Sequence, residues 1–188
     1  MFERYVEEAR RGVFFARYES AQQGGPFIEW QHLLLGIIRE PNSAANETFK
    51  LKDSEATIRS WLPRSDKGPL DNSVNLPLSS ECKRILAYAA EETERLDHRF
   101  IFSDHLLLGL LREESSRKQL ESLGLSIKSG REAVRASSVD RTTPPPVPYS
   151  TSTTTPETNP LTFVQRYAVV LIIMALVAGL IIGVNLRN

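Results

Sequence analysis

From the amino terminus to about residue 137, apolar residues recur every three or four positions between charged ones, the period of amphipathic helices. Phe2 with Val6, and Tyr5 with Ala9, Val13 and Ala16, make the first stripe. Gly24-Gly25-Pro26 ends it, glycine for the cap and proline barring continuation. The run 32–39 predicts a second, shorter helix that stops at Pro41. Asn42 or Ser43 can cap a third, and Asp53 or Ser54 a fourth that reaches Trp61 before Pro63. Farther on, Ser79 caps a long helix, Ser103 caps a short one, Gly124 ends a third and Ser126 starts the last. No strand pattern competes. The expected fold class is all-α, eight helices around one shared core.

These helices read as two copies of one unit. A shift of 73 residues aligns 8–40 with 81–113 without a gap, and 13 of the 33 positions are identical. The strongest block sets Phe27-Ile28 and His32-Leu33-Leu34-Leu35-Gly36 against Phe100-Ile101 and His105-Leu106-Leu107-Leu108-Gly109, with Arg39-Glu40 against Arg112-Glu113. The expected organisation is two pseudo-symmetric four-helix repeats at 1–62 and 78–137, joined by a Pro/Gly/Asp/Asn-rich connector at 63–77.

The pattern then changes twice. Residues 138–160 are built from Pro, Thr, Ser and Val, which predicts an extended or disordered linker. Residues 167–186 carry no charge over 20 positions, enough at 1.5 Å rise for about 30 Å of hydrocarbon. Arg166 and Arg187 bracket that run and Tyr167 stands at its edge, so a transmembrane helix is expected over 163–186. Ala175, Gly179 and Gly183 recur every four residues on one face, a pattern that permits close helix approach and a homodimer. The amino terminus has no apolar stretch after a basic start, so no secretory signal is expected. The expectation is a single-pass, carboxy-terminal anchor with the helical body in the cytoplasm.

Charge and reactive side chains narrow the chemistry. The first 160 residues carry 21 basic and 23 acidic side chains, which gives no electrostatic reason to expect nucleic acid. No phosphate-loop or dinucleotide glycine motif occurs, so nucleotide binding is not expected. Cys82 is the only cysteine and falls on a helical stripe, where it reads as a small buried hydrophobe. His32 and His105 hold equivalent places at the start of the short helices and read as hydrogen-bonded first-turn histidines; His98 reads as surface. No His/Cys set has metal-ligand spacing. An enzyme is not expected, nor a metal or cofactor.

The Met1-Phe2-Glu3-Arg4-Tyr5 start, the Glu7-Glu8-Ala9-Arg10-Arg11 run and the two His-Leu-Leu-Leu-Gly blocks closely resemble the Clp N-terminal repeat domain, which precedes the AAA+ rings of Clp unfoldases. The resemblance covers about residues 1–137 and implies a two-repeat bundle that binds adaptors and substrates, here without the ATPase. It implies partners among unfoldase substrates or adaptors, in connection with a Clp ATPase system. Some family members bind phosphoarginine at two equivalent sites, a carboxylate before the short-helix histidine meeting the guanidinium and a hydroxyl at the long-helix start holding the phosphate. Carried over by position, Ser79 and Asp104 stand for the second-repeat site. Val6 and Gln31 would be a degenerate first-repeat site, with Trp30 beside it suggesting a more apolar contact. Helix capping and first-turn charge are the plainer account of Ser79 and Asp104. The alternative to a recruiting module is a membrane scaffold that dimerises through its anchor and docks one fixed partner.

Overall fold

The computed structural model describes residues 3–63, 68–71, 74–137 and 141 of the 188. Phe2, the expected anchor at 163–186 with its Ala175, Gly179 and Gly183, and the expected linker apart from Arg141 lie outside the described residues.

Eight α-helices follow in order: α1 Glu7–Gln23, α2 Trp30–Arg39, α3 Ala44–Phe49, α4 Glu55–Ser60, α5 Ser80–Arg95, α6 Ser103–Arg112, α7 Glu114–Ser122 and α8 Ile127–Ala136. A 3-10 turn, Leu51–Ser54, leads directly into α4 without a side-chain cap, where Asp53 or Ser54 was expected to provide one. Among the described residues there is no strand, and no helix is long and apolar enough to cross a membrane.

Local chemistry explains most of the ends. Gly24 closes α1 in the left-handed region at φ 76°, where its N–H reaches Ser20 and Ala21 carbonyls. Ser43, Ser79 and Ser126 cap α3, α5 and α8 by accepting from Asn46, Cys82 and Ser129 amides. Ser103 departs from expectation. It is the first residue inside α6, and Phe102 is the cap. Its hydroxyl instead accepts from the Ala45 amide at 3.0 Å and meets Ser43 Oγ at 3.1 Å, so it caps α3 of the other repeat. The α1 stripe also starts later than the spacing suggests, because Tyr5 leaves the helix to pair with Ile101.

That pairing interlocks the two repeats. Val6 N donates to Ile101 O at 3.0 Å and Ile101 N to Arg4 O at 2.8 Å; Ser79 N donates to Ile28 O at 3.0 Å and Ile28 N to Pro77 O at 2.9 Å. Each bond maps onto its counterpart by the 73-residue shift, so the entry segment of each repeat is completed by the other.

At the centre, α2 packs on α1 and α6 on α5, with Leu33, Leu34, Ile37, Leu106, Leu107, Leu108 and Leu110 fully buried. Gly36 is obligatory at this crossing. A Cβ there would sit 2.5 Å from Ala16 N and closer still to Gly12 O. Gly109 plays the same part against Ile85 and Ala89. Matched ion pairs clamp the helix ends: Arg11–Glu40 at 2.6 Å and Arg84–Glu113 at 2.8 Å, with Glu19 between Arg39 and Arg59 and Glu92 between Arg112 and Arg131. Burial opposes ionisation of Glu19 and Glu92, yet their arginines outweigh it and hold both carboxyls below the usual range.

Candidate binding site

The entrance of α6 gathers three fully buried polar residues, Ser103, Asp104 and His105. His105 Nδ1 accepts from the Phe102 amide at 3.0 Å, so its proton sits on Nε2, which donates to His98 Nδ1 at 2.8 Å. His98, expected at the surface, is half-buried edge-on against the His105 ring, because a buried imidazole N–H needs an acceptor. Burial pushes His105 down to about 3, keeping it neutral. The Ser103 amide donates to Glu8 Oε1 of α1 at 2.7 Å, and burial raises Glu8 to about 7. Cys82 is fully buried on α5, with its thiol pushed up to about 12.

Asp104 lies in the middle, 0% exposed. Its Oδ2 accepts from Arg141 through both Nε, at 3.1 Å, and a guanidinium Nη. Arg141 comes from the expected linker, yet it is only 3% exposed. Its guanidinium lies 5.6 Å from the Phe102 ring centroid, and its carbonyl accepts from the Arg99 amide at 3.3 Å. Asp104 Oδ1 has no hydrogen-bond donor among the described residues; its neighbour at 3.2 Å, His105 Nδ1, is itself an acceptor. Burial raises the Asp104 carboxyl while the Arg141 charge pulls it back down.

Ser79 and Asp104 are not joined by any hydrogen bond or ion pair among the described residues. Ser79 is committed to capping α5 and to Ile28 of the first repeat. In the first repeat, Val6 is the buried N-cap of α1, without a side-chain bond. Gln31 Nε2 donates to Trp61 O at 3.2 Å. Trp30 is buried against Trp61, with ring centroids 6.1 Å apart, so it belongs to the core and is not offered to a ligand. His32 Nδ1 accepts from Glu29 N at 2.9 Å and its Nε2 meets Gln23, and burial lowers it to about 4. The first repeat thus keeps the histidine cap, and among the described residues no ion pair corresponds to Asp104–Arg141 at its entrance.

A second feature lies on α1. Val13, Phe14, Ile28 and Leu78 line a groove of about 370 Å³ flanked by Arg10 and Arg17. Phe14 is 62% exposed there, and Val74 and Phe27 are also exposed. Adjacent Phe14 and Phe15 cannot both face one side of a helix, which is the sequence signal for this patch. Arg141 gave no such signal, since no periodicity ties it to α8.

The model of the Clp repeat (R) N-terminal domain matches residues 5–123, nearly two thirds of the chain. The chain belongs to the Clp N-terminal repeat domain family. It is 36% identical over 131 residues to the chloroplastic chaperone protein ClpC1 of Oryza sativa subsp. japonica, a match that covers 66% of this chain but 14% of that protein. This Clp repeat chain therefore spans about a seventh of the curated relatives it matches first. Among solved structures, the N-terminal domain of ClpD from Arabidopsis thaliana has a TM-score of 0.54 at 27% identity, covering 71% of this chain and 96% of that one. The ClpV N-domain solved in complex with a VipB peptide has a TM-score of 0.57 at 14% identity, covering 72% and 87%.

Proposed function

We propose that this chain is a non-catalytic protein-binding module that takes apolar, acidic segments of unfoldase substrates or adaptors into the α1 groove. In this reading the uncharged segment 163–186 holds it at a membrane, the helical body faces the cytoplasm, and a Clp-type ATPase acts in trans. The observation that carries the binding role is Phe14, exposed within an apolar groove between two arginines. Exposed apolar clusters with a charged rim mark interaction surfaces, and Arg10 and Arg17 favour carboxylates on whatever enters. Family membership supports the role, as does the peptide bound to the ClpV N-domain. The membrane role rests on the length and composition of the uncharged run.

Asp104 supports a second, compatible contact. It already holds a guanidinium, which favours the carboxylate half of the implied arginine site, whereas Ser79 is occupied as a cap.

The test uses the full chain with lipid vesicles and a panel of peptides of equal hydropathy, acidic or basic. We expect flotation with the vesicles that is lost on deleting 163–186, and binding of acidic apolar peptides that Phe14→Asp abolishes while helical content stays unchanged. Equal binding of both peptide sets, or binding untouched by Phe14→Asp, refutes the groove. Failure to float refutes the anchor.

A further inference from the structure

The Asp104–Arg141 pair joins the α6 entrance to a residue that lies outside all eight helices, 37 positions later in the chain. The helices do not need it. The α6 entrance is satisfied by Glu8 and His105, and the first repeat builds the same histidine-capped entrance with Gln31 and, among the described residues, no charged partner for it. Stability is also a weak reason for such a pair, because stripping water from two charges offsets most of their attraction. The geometry is incomplete as well: both hydrogen bonds from Arg141 to Asp104 reach Oδ2, and Oδ1 is buried with no donor among the described residues. A guanidinium seated on both oxygens would make the stronger, bidentate contact.

We propose that Arg141 is a latch: it occupies the Asp104 pocket in cis and is displaced by an arginine side chain of a bound protein. The inference rests on Asp104 being a guanidinium acceptor. The pocket has the parts for that ligand and for few others: a carboxylate, the Phe102 ring within cation–π reach of the guanidinium, and the neutral His98–His105 pair. With the latch closed, an arginine-bearing partner binds only the open fraction, so its apparent affinity falls by that fraction. Displacement also frees the Arg99 amide, which donates to the Arg141 carbonyl. The residues after the second repeat would then sense whether the site is filled.

The probe is the peptide acetyl-Gly-Arg-Gly-amide, titrated by calorimetry into the full chain, into Arg141→Met and into Arg141→Met with Asp104→Asn. Methionine keeps an apolar stem over Phe102 and removes the charged fork. We expect the Arg141→Met chain to bind at least about tenfold more tightly than the wild type and the double variant not to bind. Exchange of the Arg99 amide, followed in the wild type without any mutation, should speed up as the peptide saturates. Equal affinity for wild type and Arg141→Met, with loss in the double variant, keeps the acceptor and overturns the latch. Binding to none of the three, with Arg99 exchange unchanged, makes the pair a structural contact only and overturns both.

Discussion

Two glycines on one helix crossing should respond to the same substitution with opposite signs. Gly12 of α1 and Gly36 of α2 both lie buried where these helices meet. Alanine favours a helix over glycine by about 1 kcal/mol at either site. At Gly12 a Cβ would rest 3.6 Å from Ile37 Cα, an ordinary contact, so the propensity gain stands and Gly12→Ala should stabilise by about 0.5–1 kcal/mol. At Gly36 the new carbon would lie 2.5 Å from Ala16 N and 3.0 Å from Ala16 Cα, with Gly12 O nearer still. All of these are backbone atoms and cannot rotate away. The helices must part by roughly 1 Å, which forfeits a quarter to a half of the dispersion at that seam. Overpacking of this kind costs about 1–3 kcal/mol and occasionally more; with no side chain able to yield, about 3 kcal/mol net is expected for Gly36→Ala. Urea unfolding followed by the fluorescence of the Trp30–Trp61 pair reads both variants. A Gly36→Ala protein as stable as the wild type, or a Gly12→Ala protein equally destabilised, would refute the crossing geometry.

The other two expectations concern buried polar groups. His32 and His105 titrate at about 4 and about 3 in the folded chain because burial disfavours their charged forms. The unfolded chain takes up those protons from about 6.5 downward, so each stabilising contribution is complete above 6.5 and is lost toward pH 4 at about 1.4 kcal/mol per unit. Glu8 runs the other way: raised to about 7, its contribution is largest below about 4.5 and is lost as pH rises through 7. His98 and Asp104 also shift in directions that oppose each other. Between pH 5 and 6.5, stability should rise by about 1.4 kcal/mol per unit, and about twice as steeply in Glu8→Gln; a flat or falling wild-type profile in urea midpoints would contradict these assignments. Ser103→Ala should cost about 1–3 kcal/mol, since the buried Ala45 amide and Ser43 hydroxyl lose a partner. A loss below about 0.5 kcal/mol, the scale of ordinary surface changes, would show that Ser103 does not bridge the repeats.

Helices, repeat and family were legible in the sequence because each depends on short-range chemistry. Apolar spacing near 3.6 residues makes a helix wherever it occurs, Gly24 takes the left-handed cap wherever a helix must stop, and 13 identities at one offset declare a duplication without reference to space. The same locality let Ser43, Ser79 and Ser126 be read as caps. What the sequence alone could not assign depends on which distant atoms meet. Ser103 has every local qualification to cap its own helix, but Glu8 arrives from 95 residues away to take its amide, and its hydroxyl turns to α3. Tyr5 fits the α1 stripe, yet the second repeat draws it into a bridge. Asp104 and Arg141 carry no joint pattern at all. Burial and hydrogen-bond satisfaction are properties of the assembled core, so only the tertiary structure could pair a first-turn carboxylate with an arginine expected in a linker.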